Sequence, residues 1–77
     1  STKIRYTVGH SAHVELDILN VLGQKVNTLF SGDQRIGSYT MEWDGTNDRN
    51  AKISSGIYFY RIRTEEFSAT KKMVLLK

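Results

Sequence analysis

An antiparallel β-sandwich is the fold class that this 77-residue sequence predicts, on three observations. Apolar and polar residues alternate in short runs rich in aromatic and β-branched side chains. Turn-forming residues recur at intervals of about 8–12 positions. No window sustains apolar residues at i, i+3, i+4 and i+7; the nearest approach, residues 18–30, is interrupted by Gly23. Six clear strands and a weak seventh are expected, all in one domain covering residues 1–77.

The stretch that organises the chain runs from Ser54 to Thr64, Ser-Ser-Gly-Ile-Tyr-Phe-Tyr-Arg-Ile-Arg-Thr. Gly56 opens it and Glu65-Glu66 closes it. Side chains alternate across a strand, so Tyr58, Tyr60 and Ile62 share the face that best suits a core. Ile57, Phe59, Arg61 and Arg63 share the other, which starts apolar and ends in charge, as in a central antiparallel strand that emerges into water. In immunoglobulin-like sandwiches a tyrosine near the start of such a strand bonds back to backbone just upstream. Gly56-Ile57-Tyr58 has that spacing, and a tyrosine hydroxyl leaving solvent needs such a partner.

The remaining elements follow in chain order. Residues 2–8 alternate with Ile4, Tyr6 and Val8 inward, and residues 13–19 with Val14, Leu16 and Ile18 inward and Glu15 and Asp17 outward. Between Asn20 and Gln24, Gly23 suits the positive-φ position of a turn. Residues 26–30 read as a third strand, but Val26 and Leu29 differ by an odd number, so a bulge is expected. Residues 31–37 read as a turn around Ile36, and residues 38–43 as a strand with Tyr39, Met41 and Trp43 inward. Residues 44–50 form a polar loop, residues 51–53 a short edge strand, and residues 67–76 the last strand, antiparallel to the organising one across a short hairpin.

Composition sets limits. A chain of this length buries only about 60–65 % of its unfolded surface, so a thin stability margin is expected. With no cysteine, neither a disulfide nor a thiolate metal site can reinforce it. No apolar run approaches the ~20 residues that span a bilayer. The chain opens on Ser1 without methionine or a signal peptide, and reads as a piece excised from a longer polypeptide. The net charge is +3, but the basic residues scatter rather than gather with stacking aromatics, so no nucleic-acid partner is expected.

Catalytic chemistry is thin. His10 and His13 stand three apart where loop runs into strand, with no cysteine and few carboxylates nearby, and read as unliganded. No glycine-rich loop leads into a helix to cradle phosphate. Asp44, Asn47, Asp48 and Asn50 offer hard oxygens that suit Ca²⁺, yet their spacing misses the EF-hand pattern and the same residues build ordinary turns. The turn is the favoured reading, so no cofactor and no metal is expected.

Four motifs occur in order: Asn20-Val21-Leu22-Gly23-Gln24-Lys25-Val26, Trp43-Asp44-Gly45-Thr46-Asn47, Ser55-Gly56-Ile57-Tyr58-Phe59-Tyr60-Arg61 and Lys72-Met73-Val74-Leu75-Leu76-Lys77. Together they resemble the carboxy-terminal sorting domains of type IX secretion cargo and the closely similar immunoglobulin-like domain of the flagellar hook-capping protein. The resemblance covers nearly the whole chain, but the Asn-Pro segment that often precedes the first strand is missing. It implies an immunoglobulin-like or fibronectin III-like sandwich of about seven strands, without catalytic activity. It further implies a terminal module that sends a secreted enzyme or adhesin through the periplasm and outer membrane to the cell surface. The implied partners are the outer-membrane secretion apparatus and the upstream catalytic or adhesive domains of the same chain, with the module itself monomeric. The residues that the resemblance makes important for recognition are Gly56, Tyr58 and the ending Lys72, Met73, Val74, Leu75, Leu76 and Lys77, and that basic-apolar ending favours the sorting role. An accessory spacer or carbohydrate-binding module and a hook-cap structural domain are the alternatives. Carbohydrate platforms need exposed coplanar aromatics, whereas Tyr6, Tyr39 and Trp43 fall on inward faces.

For the last strand itself two readings stand. Either residues 71–77 form a central strand buried on both sides, or one apolar pair and the flanking lysines face outward as a docking surface.

Overall fold

The computed structural model describes residues 2–76. Six strands form among them: β1 (Thr2–Val8), β2 (Ala12–Leu19), β3 (Lys25–Gln34), β4 (Gly37–Trp43), β5 (Gly56–Arg63) and β6 (Ser68–Leu75). They make two antiparallel sheets, β1-β4 and β3-β2-β5-β6. The fold is the expected all-β, Ig-like sandwich, with six strands rather than about seven.

The core lies between the sheets. Ile4, Tyr6 and Val8 of β1 and Trp43 of β4 meet Val14, Leu16 and Ile18 of β2, Ile62 of β5 and Leu75 of β6. Each contributes through the alternation visible in its strand, and burial of such side chains stabilises by roughly 1.5–3 kcal/mol apiece. Tyr6 and Tyr39 stack at 5.6 Å between ring centroids, across a directly opposed β1–β4 pair. Burial pushes the Tyr6 phenol above its ordinary pKa, and its hydroxyl donates to Gln34 Oε1 at 2.9 Å.

Two expectations along the chain are corrected. The segment at residues 31–34 is not a turn: β3 continues through it, pairing Ser31 with Glu15 and Gln34 with Ala12. Ladder bonds to β2 outweigh the local turn preference of Ser31, Gly32 and Asp33. Residues 51–53 do not form a strand: a single bridge joins Lys52 to Thr46, because the preceding loop closes on itself first.

The bulge is present, and there are two register shifts. Pairing with β2 steps from Phe30 to Thr28 and again from Asn27 to Lys25, leaving Leu29 and Val26 as the extra residues. The extra residue lets Leu29 and Phe30, adjacent in sequence, both pack against the core.

Asp17 is the third correction. It lies on the outward face as alternation requires, yet it is 0 % exposed. Thr28 Oγ1 donates to its Oδ1 at 2.9 Å, and Arg61 Nη2 to its Oδ2 at 3.1 Å. These three residues stand in one row across β3, β2 and β5. In the next row Arg63 donates to Glu15 Oε2, a pair opposed in register. The two arginines that suggested a strand emerging into water are thus paired with carboxylates of β2.

Removing a carboxylate from beneath a partly covered guanidinium leaves that charge and the Thr28 hydroxyl without their partner. Asp17→Ala is expected to cost about 2–3 kcal/mol in urea unfolding. Glu15→Ala, at the solvent-exposed pair, should cost under about 1 kcal/mol. Equal losses would show that burial of Asp17 contributes nothing.

Candidate functional site

The residues singled out in the sequence come together at one end of the sandwich. Register pairs Gly56 with Leu75, Ile57 with Val74, Tyr58 with Met73 and Phe59 with Lys72. Leu76 follows β6, and Lys77 lies outside the described residues. Alternation divides the group: Tyr58, Met73 and Leu75 face the core, while Lys72, Val74 and Leu76 face outward.

β6 is an edge strand, paired with β5 alone among the described residues. The reading of a central strand buried on both sides is therefore wrong. Val74 is 53 % exposed and Leu76 81 %. Beside them on the same outer face lies Ile57, also exposed, with Lys72 opposite Phe59. The result is an exposed apolar strip next to a lysine, at the end of the last strand.

The inward members hold this end together. Leu75 packs on the backbone of Gly45, where an added Cβ would lie 3.2 Å from Leu75 Cδ2, so Gly45 is required for this close approach as well as for its φ of +81°. Tyr58 meets Trp43 edge-on at 5.4 Å. Its hydroxyl donates to the Ser54 carbonyl at 2.8 Å, the backward bond that the Gly56-Ile57-Tyr58 spacing predicts.

The sequence holds a second such corner. Gly37-Ser38-Tyr39 opens β4 as Gly56-Ile57-Tyr58 opens β5, and the Tyr39 hydroxyl donates to the Arg35 carbonyl at 2.6 Å. Both glycines carry large positive φ, +155° and +153°, a region that side-chain-bearing residues avoid. The repeated Gly-x-Tyr spacing was the available signal. Since one copy opens β4, which is in the other sheet from β6, the motif is in the first place a device for starting a strand.

The polar loop is built from turn bonds. Asp44 Oδ1 accepts from the Thr46 hydroxyl at 2.6 Å and from the Thr46 amide at 3.2 Å. Asn47 Oδ1 accepts from the amides of Arg49 and Ala51, both at 3.0 Å. Asn20 does the same for Leu22 and Gln24, and in both loops the residue three after the asparagine has positive φ, Gly23 at +81° and Asn50 at +62°. Asp44 Oδ1 and Asn47 Oδ1 are thus engaged in turns, and among the described residues no cluster of three or more His, Asp or Glu could hold a metal ion.

The Thr46 hydroxyl is the main cause that holds the Asp44 carboxyl below its ordinary pKa. A folded-state value below the unfolded one stabilises at neutral pH, and that contribution is lost as pH falls through the folded value. Thr46→Val should raise the Asp44 pKa toward the usual carboxylate range, followed by carboxyl-carbon NMR against pH; an unchanged value would remove the hydroxyl as the cause. For the two corners, Tyr58→Phe and Tyr39→Phe are each expected to cost about 0.5–1.5 kcal/mol. Their hydroxyls bond to different acceptors, the Arg35 and Ser54 carbonyls, so the double variant should be additive in urea unfolding.

The sequence matches the family of the FlgD Ig-like domain over residues 1–67. No curated protein and no solved structure gives a significant match. The matched region contains β1 to β5 and ends just before β6, so the exposed terminal strand lies beyond it. A match over that much of the chain, on an Ig-like sandwich of two sheets, means that the protein belongs to the FlgD Ig-like domain family.

Proposed function

We propose that this domain is a non-catalytic carboxy-terminal module that directs secretion and cell-surface attachment of the longer chain it ends. In this reading an outer-membrane secretion apparatus recognises it, and it rides as a monomer behind catalytic or adhesive domains of the same chain. The observation that carries the reading is the outward strip at the end of β6, where Lys72 and Val74 stand exposed on an edge strand and Leu76 is exposed just after it. An exposed apolar strip flanked by a cation is suited to docking by side-chain contact or strand addition. Gly56, Tyr58, Met73 and Leu75 act from beneath, by fixing the position of that strand.

Membership of the FlgD Ig-like domain family favours a second reading, a structural domain of a flagellar hook cap, and is equally compatible with an Ig-like spacer of an extracellular enzyme. A carbohydrate platform is disfavoured, since Trp43 is 1 % exposed and Tyr6 and Tyr39 stack on each other.

The test is a reporter fused to the domain in a host with type IX secretion. Lys72→Glu combined with Val74→Ser alters only exposed side chains, so the melting temperature should not move. Export is expected to fall by about tenfold or more, as for residues central to a docking surface. Export at the unaltered level would remove the outer strip from any sorting signal and leave the spacer and hook-cap readings.

A further inference from the structure

The two sheets are unequal. A two-stranded sheet faces a four-stranded one, and the uncovered part lies over β6. Ala69 and Lys71 share the core-facing side of β6 with Met73 and Leu75, opposite Ile62 and Tyr60 of β5, yet both are exposed. Between this bare floor and the neighbouring strand β1 runs a groove of about 320 Å³. Tyr6 and Thr7 form its β1 wall, Tyr60, Ile62 and Ala69 its floor, and Phe67, half exposed, stands at one end.

The wall has a special character. β1 pairs with β4 along one edge, and among the described residues nothing pairs with the other. Alternate residues of β1 therefore direct N–H and C=O groups over the groove. Adjacent strands lie about 4.8 Å apart and packed sheets about 10 Å apart. A third strand beside β1 would accordingly lie above β5 and β6 and cover Ile62 and Ala69. Arg5, on the outward side of β1, and Lys71, on the core-facing side of β6, line its rim from opposite strands.

We propose that the groove is a strand-addition site for an extended acidic-apolar peptide of a partner protein. The peptide's backbone continues the β1-β4 sheet, its alternate apolar side chains rest on Ile62, Tyr60 and Ala69, and its outward acidic side chains lie beside Arg5, while Lys71 flanks the floor. Backbone pairing supplies affinity, and the two cations select the sign of charge. This site is on the opposite face of β6 from Lys72, Val74 and Leu76, so it goes beyond the sorting reading and its failure would leave that reading untouched.

The test uses the chain as it stands and a capped synthetic peptide of alternating valine and glutamate, as long as the seven residues of β1. Titration followed by amide NMR should saturate, with shifts concentrated at Arg5, Tyr6, Thr7, Ile62 and Ala69. A valine–lysine peptide should bind at least about tenfold more weakly, and a backbone N-methylated version should not bind. Ala69→Glu, at an exposed position, should keep the melting temperature and abolish binding. Absence of saturation at millimolar peptide, equal binding of the lysine peptide, or shifts confined to the outer face of β6 would each overturn the proposal. So would self-association of the domain through the same residues, which would give the groove to a second copy. A longer chain carrying its own residues ahead of position 2 that no longer binds the peptide would give it to a strand in cis.

Discussion

The Thr46 carbonyl is the tie on which this end of the sandwich depends. It accepts from the indole of Trp43 at 2.9 Å and from Asn27 Nδ2 at 3.0 Å, and so joins the end of β4 to β3 in the opposite sheet. Asp44 holds Thr46 in place from one side, and the Asp48 amide donates to the Val26 carbonyl from the other. With Trp43 fixed, Tyr58 has an edge to pack against and Leu75 a glycine backbone to lie on. In a chain this small, few buried groups bridge the sheets, so each bears more of the stability. The four motifs scattered along the sequence meet here. Their common basis is packing, and the exposed strip of β6 is the part of the group that packing leaves over.

Where one side chain period and one burial pattern agreed, the sequence was legible. β1 was legible to the residue and β4 nearly so, because each alternates without a break, and β5 was legible from its run of aromatic and β-branched residues between Gly56 and Arg63. β3 was legible as a strand with a bulge, from the odd spacing of Val26 and Leu29. Its extension through Ser31, Gly32 and Asp33 was not, because it comes from pairing with β2, a partner distant in sequence that no local preference encodes. The burial of Asp17 was not legible for a related reason. Alternation gives the face of a side chain, whereas its burial depends on whether neighbours in the same row, here Thr28 and Arg61, reach over it.

The candidate site divides along the same line. The Tyr58 bond to Ser54 could be read from spacing, since both ends lie within five residues. That β6 occupies an edge could not, because strand order depends on which strand β5 takes as its second neighbour. Four apolar residues between lysines fit a central strand and an edge strand equally well until that order is known. The groove depends on that order too. Arg5 and Lys71 are far apart in sequence, and only the two-over-four arrangement of the sheets brings them to opposite sides of one space.

Open edges carry the final constraint. A strand with unpaired N–H and C=O groups invites another chain, and small sandwiches blunt such edges or use them. In the wider sheet the β3 edge is broken by two register shifts, and the β6 edge carries Lys71 on one face and Lys72 on the other. β1 differs, since its seven residues pair with β4 without any shift, and its free edge lies straight beside an apolar floor. What it carries on its outward side is Lys3 and Arg5. These oppose a second β1, and Lys71 across the groove opposes a second β6, so like charge disfavours pairing between copies. An incoming strand that brings carboxylates meets no such opposition. The charge that keeps this edge from its own kind is thus the charge that would select an acidic partner.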